Sequence, residues 1–162
     1  MAVTGVILAW KDSDIYPHVL ASKRGPKAAD FRGKWNVVSG YLDKDESATE
    51  AIIREIWEEV GLNIVKIMNS DAEQIEHMEQ PWFVNHKPTE NRQNVTLRFG
   101  LCFSVEEGKN LPKLTTKYNE VIGEVEEPIW IPFEDIDGYE WAFGHNQIIK
   151  DYFDKILDSV EL

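Results

Sequence analysis

The sequence predicts a mixed α/β fold in a single domain covering residues 1–162. Three observations lead there. Apolar or alternating runs recur along the chain, the longest being Val3 to Trp10 and Asn94 to Val105, and read as strands. A capped amphipathic segment, Ser47 to Gly61, interrupts them as a helix. A second amphipathic helix, Phe143 to Val160, closes the chain. The chain of 162 residues is long enough for one ordinary core, and no repeat, linker or low-complexity stretch divides it.

Taken in order, Val3 to Trp10 is β-rich and apolar, and a short turn leads to a second strand, His18 to Ser22. Residues 23–34 contain Gly25, Pro26 and Gly33 and read as a loop. That loop holds Lys23, Arg24, Lys27, Arg32 and Lys34, a concentration of positive charge in an acidic chain. Trp35 to Ser39 is a short strand entering Gly40. After the first helix, Leu62 to Met68 reads as a strand and Asp71 to Gln80 as a polar loop in which His77 is solvated. Pro81 to His86 reads as an edge strand, because a leading proline is tolerated there. From Asn94 to Val105 apolar residues alternate with Thr96, Arg98, Cys102 and Ser104, the pattern of a half-buried strand. A loop from Glu106 to Lys117 follows, then an acidic stretch that ends in the strand Pro128 to Ile131. In the last helix His145, Ile148, Ile149, Tyr152, Phe153, Ile156 and Val160 recur at spacings of three and four, which makes it a cover for the sheet.

The segment Gly40 to Leu62 carries the most chemistry. Ser47 and Glu50 form a capping box, and Gly61 supplies a left-handed stop. At about 100° per residue, Arg54, Glu55, Glu58 and Glu59 fill one arc of the wheel, and Ile52, Ile53, Ile56, Trp57 and Val60 fill the other. Glu58 and Glu59 fall in the last turn, where the helix dipole disfavours anions by roughly 0.3–1 kcal/mol each. Glu55 and Glu59 are a like-charge pair one turn apart. A divalent cation would offset this crowding, and oxygen ligands suit magnesium, calcium or manganese over zinc. The plainer alternative is a solvated acidic face with Arg54 bridging Glu50 and Glu58.

Composition limits the partners. The net charge of −12 disfavours a nucleic-acid backbone. No run approaches the roughly 20 apolar residues that span a membrane. The single cysteine, Cys102, has no partner for an intrachain disulfide, which fits a reducing, cytoplasmic setting. The basic loop offers a patch for phosphates, with Arg24 the first candidate and Lys34 the second.

The run Gly40, five residues, Glu46, seven residues, then Arg54-Glu55-Ile56-Trp57-Glu58-Glu59-Val60-Gly61-Leu62 resembles, at every specified position, the signature of the Nudix hydrolases. The resemblance implies an α/β/α sandwich with a mixed central sheet. It implies that Glu55, Glu58 and Glu59 bind metal, magnesium or manganese, with Glu59 the main ligand and Glu55 also orienting or deprotonating water. Arg54 would orient Glu55 and pair with Glu46, which makes Glu46 a supporting residue and not a ligand. A backbone carbonyl near Gly40 would help hold metal, although many relatives carry Pro-Gly-Gly where this chain has Val38-Ser39-Gly40. A further acidic residue from the stretch after Tyr118, Glu120 first and Glu124 second, would bind a second metal or act as general base.

The segment Gln80-Pro81-Trp82 resembles one in dinucleotide-cleaving Nudix enzymes, so Trp82 is either a nucleobase-stacking residue or a core residue. The segment Trp141-Ala142-Phe143-Gly144-His145 resembles one in Nudix domains acting on or sensing ADP-ribose, with His145 a packing residue at the helix start. The implied reaction is hydrolysis of a diphosphate linkage in a nucleoside diphosphate joined to a moiety X, with ADP-ribose or a related dinucleotide first. A (deoxy)nucleoside triphosphate is the alternative substrate, a ligand-sensing domain without turnover the alternative class, and a calcium-binding or acidic interaction module the third reading. Family precedent implies a homodimer.

Overall fold

The computed structural model describes residues 1–88, 94–119 and 123–160. The chain order is β1 (Ala2–Trp10), β2 (His18–Arg24), β3 (Trp35–Asn36), β4 (Val38–Tyr41), α1 (Ala48–Val60), α2 (Ile64–Met68), β5 (Gln74–His77), β6 (Phe83–Asn85), β7 (Thr96–Ser104), β8 (Val125–Pro132), a 3-10 turn (Phe133–Gly138) and α3 (His145–Ser159). Among the described residues the strands join one sheet whose main path is β3-β2-β1-β7-β5, with β4 on β1, β6 on β7 and β8 on β2. The β1–β7 pair is parallel, from Ala2↔Thr96 to Trp10↔Ser104, and the other pairs are antiparallel. The sheet is therefore mixed.

β1 is covered on both faces, which is why it reads as an unbroken apolar run. Val3, Ile7 and Ala9 face α1 and pack with Ile52, Ile56 and Val60. Val6 and Leu8 face α3 and pack with Ile149, Tyr152 and Phe153. The architecture is the α/β/α sandwich, with α1 and α2 on one face and α3 on the other. Gly100 shows how closely α3 sits. A Cβ there would run into the Tyr152 ring, so the missing side chain lets the tyrosine lie against the sheet.

Five local expectations are corrected. Leu62 to Met68 is not a strand: Ile64–Met68 is a short helix, because the Asn63 side chain caps it by accepting from the Lys66 amide at 3.0 Å. Gln74–His77, expected as loop, pairs with β7. His77 is correspondingly not simply solvated, since its Nδ1 lies 3.2 Å from the Tyr152 hydroxyl. β7 is not half-buried: α3 covers its second face, so Cys102 is buried and its thiol pushed up to about 11 by burial. Trp57, placed in the core arc of α1, is 39% exposed and packs on Tyr118, the ring centres 4.6 Å apart and the planes tilted by 30°.

One topological feature positions the site. β1 and β2 are paired only at one end, at Leu8↔Val19 and Ala9↔His18. Beyond that point β1 takes β4 as partner, while β2 takes β3 and β8. The two central strands diverge, and a cleft opens between them.

Candidate active site

α1 forms as its local signals dictate. The Ser47 hydroxyl accepts from the Glu50 amide at 3.1 Å, the Glu50 carboxylate reaches back to the Ser47 amide at 3.4 Å, and Gly61 ends the helix at φ 70°. Its charged arc meets β4 and the loop after it. Arg54 donates through Nε to Glu46 Oε2 at 2.7 Å and through Nη2 to Glu46 Oε1 at 3.0 Å, a two-pronged pair. Its Nη1 donates to Glu55 at 3.0 Å and Glu58 at 3.1 Å, and Nη2 also reaches the Tyr41 carbonyl at 3.2 Å. One guanidinium thus ties three of the signature glutamates together. The hydrogen bond from Arg54 holds the Glu46 carboxyl below the usual carboxylate range, although desolvation opposes it. The same carboxylates push the Arg54 guanidinium further up, led by its bond to Glu46.

Glu59 is placed differently. It is 7% exposed, it lines the cleft, and its Oε2 is buried without a hydrogen-bond partner. Burial raises its pKa well above the ordinary value; the charges of Glu55 and Glu124 add to the rise and Arg24 opposes it. Burial likewise raises Glu55, against the pull of Arg54. Gly40 abuts Glu55 so closely that a Cβ would overlap the carboxyl group. Among the described residues no three His, Cys, Asp or Glu side chains converge as a ready ligand set, since Glu55 and Glu58 are drawn to Arg54.

The cleft itself has a volume of about 420 Å³. Its acidic end is formed by Gly40, Glu59 and Glu124, and Arg24 and Phe143 stand beside it. Arg24 is held at the end of β2, not in a loop as expected. Its Nε donates to the Asp30 carbonyl and its Nη2 to the Asp30 carboxylate, both at 2.8 Å, and Cζ lies 5.0 Å from the centre of the Phe143 ring. His145 closes the floor. It is buried, its Nδ1 accepts from the Val37 amide at 3.1 Å, and burial together with Arg24 and Arg98 lowers its pKa to about 3.

The structure thus brings Gly40, Glu59 and Arg24 to one cleft, with Glu46, Arg54, Glu55 and Glu58 in the network behind it. Two expected substrate-binding residues do not line the cleft. Lys34 uses its backbone to brace the Arg24 turn, its carbonyl accepting from the Arg24 amide at 2.8 Å. The Trp82 indole N–H is committed to the Phe99 carbonyl at 3.1 Å, and its ring packs on Tyr152. Glu120 lies outside the described residues. Sequence reasoning missed Asn36, Thr96 and Arg98, which also line the cleft. The alternation of β7 already put Thr96 and Arg98 on one face, but not which space that face bounds.

These features define an α/β/α domain that presents a carboxylate-rich helix to a cleft rimmed with arginines. The NUDIX domain family model matches residues 2–152, and the chain belongs to that family. No curated protein matched. Among solved structures, the NUDIX domain of Shewanella oneidensis NrtR, complexed with ADP ribose, is similar at 20% identity and TM-score 0.67, covering 96% of this chain and 86% of that one. A Caenorhabditis elegans Ap4A hydrolase is similar at 14% identity and TM-score 0.65, covering 98% and 99%. A bifunctional NMN adenylyltransferase/ADP ribose pyrophosphatase from Francisella tularensis, complexed with AMP and a manganese ion, is similar at 23% identity and TM-score 0.66, covering 94% of this chain and 41% of that one. At these identities the likeness is one of fold. Among the described residues no helix is long and apolar enough to cross a membrane.

Proposed function

We propose that this chain hydrolyses a diphosphate linkage in a nucleoside diphosphate joined to a moiety X, with ADP-ribose or a related dinucleotide as the first candidate and magnesium or manganese as the metal. It is an enzyme of the pyrophosphohydrolase class. The observation that carries this reading is Glu59: a buried carboxylate with a partnerless oxygen, at the cleft, on the helix that also holds Glu55 and Glu58 of the signature. Such an oxygen costs stability unless a cation satisfies it, and an all-oxygen donor set suits a hard divalent ion.

Glu59, Glu55 and Glu58 are the residues to hold that ion, with the backbone at Gly40. When bound, the ion neutralises phosphate oxygens and makes a water more acidic. The protein supplies the rest. Arg54 holds Glu55 and Glu58 in place until they are needed. Arg24, its guanidinium fixed by Asp30, faces the cleft as an anion contact. The water oxygen bonds to phosphorus, the bridging P–O bond breaks, and the proton passes to a carboxylate, Glu55 first and Glu120 or Glu124 as alternatives. Two phosphomonoesters leave. A cytoplasmic homodimer belongs to the same reading, on family precedent and on the lone buried Cys102.

The test is a panel of ADP-ribose, diadenosine polyphosphates and (deoxy)nucleoside triphosphates with magnesium or manganese, product identity read by chromatography, and Glu59→Gln as control. Cleavage of a triphosphate alone would move the substrate to the alternative. A second reading, ligand sensing without turnover, draws support from the fold likeness to the NrtR domain. Tight ADP-ribose binding with no product at saturating metal would establish it.

A further inference from the structure

The far end of the cleft carries a charge that the reaction outlined above does not use. Arg98 lies on β7 and lines the cleft, and its side chain makes no hydrogen bond or ion pair among the described residues; its Nε is buried without a partner. It sits in a cross-strand row, Phe83–Arg98–Thr4–Ser39, set by the pairing of β6, β7, β1 and β4. Two strand spacings separate Arg98 from Ser39, about 10 Å between backbones. The guanidinium leans further away from the acidic end, with Cζ 4.5 Å from the centre of the Phe83 ring and 5.8 Å from that of Trp82. Trp82 is fixed twice, its amide and its indole N–H donating to the Arg98 and Phe99 carbonyls.

The two rings hold a planar five-donor fork in one place and satisfy none of its N–H groups. Asp151 on α3 exerts a field on it without pairing. Lys87, Asn85 and Thr96 line the same end of the cleft. A guanidinium whose Nε is buried without an acceptor is costly, and a rigid one recognises planar or tetrahedral oxyanions best.

We propose that Arg98 forms an anion-binding subsite for a phosphate or carboxylate that the ligand carries outside its scissile diphosphate. This rests on the proposed function for the identity of the diphosphate, but not for the anion preference. The subsite makes the enzyme favour ligands with a second charged group over their neutral analogues.

The experiment measures dissociation constants in EDTA, where no turnover occurs, for two matched pairs. ADP-ribose against its 2′-phosphate adds a phosphate on the nucleoside side; UDP-glucose against UDP-glucuronate adds a carboxylate on the other side. In at least one pair the charged member should bind wild type about tenfold tighter. In Arg98→Gln that preference should fall to near unity while the neutral member binds within about threefold of wild type. A merely structural arginine would weaken both members together. Arg98→Lys, with thermal melting as the folding check, should show an intermediate preference and serves if the glutamine variant does not fold. No preference in either wild-type pair, or a preference unchanged by both substitutions, overturns the proposal. Magnesium-dependent turnover of the same ligands is measured separately. Turnover without anion preference rejects the subsite alone, and anion preference without turnover rejects the hydrolase reading alone.

Discussion

Gly40 and Glu55 share a boundary that leaves no room for a methyl group: a Cβ on Gly40 would overlap the Glu55 carboxyl carbon and one of its oxygens. The glycine of the signature is thus a steric requirement of Glu55, the first glutamate on α1 to face it. Gly40→Ala should displace Glu55 from both β4 and Arg54. The expected outcome is a 10- to 100-fold loss of metal affinity or turnover, on the order seen when groups supporting metal ligands are disturbed, with a thermal midpoint close to wild type. Steady-state rates across a magnesium titration check this. Wild-type activity would mean that the Glu55 position seen here is not the working one.

Arg54 gathers Glu46, Glu55 and Glu58 within hydrogen-bond reach. Replacing it by methionine leaves those carboxylates facing one another with no countercharge. Stability should drop by about 2 kcal/mol in the absence of metal, the scale of hydrogen bonds to charged groups. Added magnesium should recover part of that loss by neutralising the cluster. Urea unfolding with and without magnesium measures both. A lysine in the same place should rescue little, because a point charge cannot serve the two-pronged Glu46 contact and Glu55 together.

His145 gives a pH prediction whose sign is fixed by its burial. Its pKa is about 3 in the folded chain, against an ordinary value of about 6.5. Above pH 6.5 both states are neutral and the residue adds no pH dependence. As pH falls from 6.5 towards 3 only the unfolded chain takes the proton, so stability should decline by about 1.4 kcal/mol per pH unit from this group alone. Below 3 the effect levels off. Carboxylates titrate in the lower part of the window, so the measurement is the difference between wild type and His145→Gln between pH 6.5 and 5. Parallel curves for the two proteins would show that His145 is not held neutral.

What was legible in the sequence was what local chemistry decides. The α1 boundaries followed from Ser47, Glu50 and Gly61, and the same residues cap and stop the helix in the structure. The placement of Arg54 against Glu46 followed from the family signature. Leu62 to Met68 failed because a short run rich in Ile and Val is ambiguous in period, and the Asn63 cap, one side chain, decided for helix. The double burial of β7 was not legible, since it depends on Gly100 meeting Tyr152, some fifty residues further along the chain. Arg24 was found by charge and loop position, yet its strand-end geometry comes from pairing with β8. Arg98 and Trp82 depend on the β6–β7 pairing, which directs the arginine to the cleft and the indole into the core. Long-range pairing, invisible in a single sequence, separates the residues that were found from those that were missed.

Glu59→Gln separates function from stability most sharply. The wild-type carboxylate is buried, lacks a partner for Oε2, and feels the charges of Glu55 and Glu124. In EDTA the amide removes a charge that the fold accommodates poorly, so the variant should be as stable as wild type or more so by about 1 kcal/mol. Magnesium should then raise the melting temperature of wild type by linkage, because the ion binds only the folded state, and should raise that of the variant much less. Turnover on the best diphosphate substrate should fall at least about 100-fold, within the range a metal contributes to charge stabilisation in the transition state. The two readouts constrain each other. A variant destabilised in EDTA would mean that Glu59 is a structural residue whose second oxygen is satisfied in solution. A variant with the same magnesium shift as wild type and near-normal turnover would mean that the ion, and the chemistry built on it, sits elsewhere in the molecule.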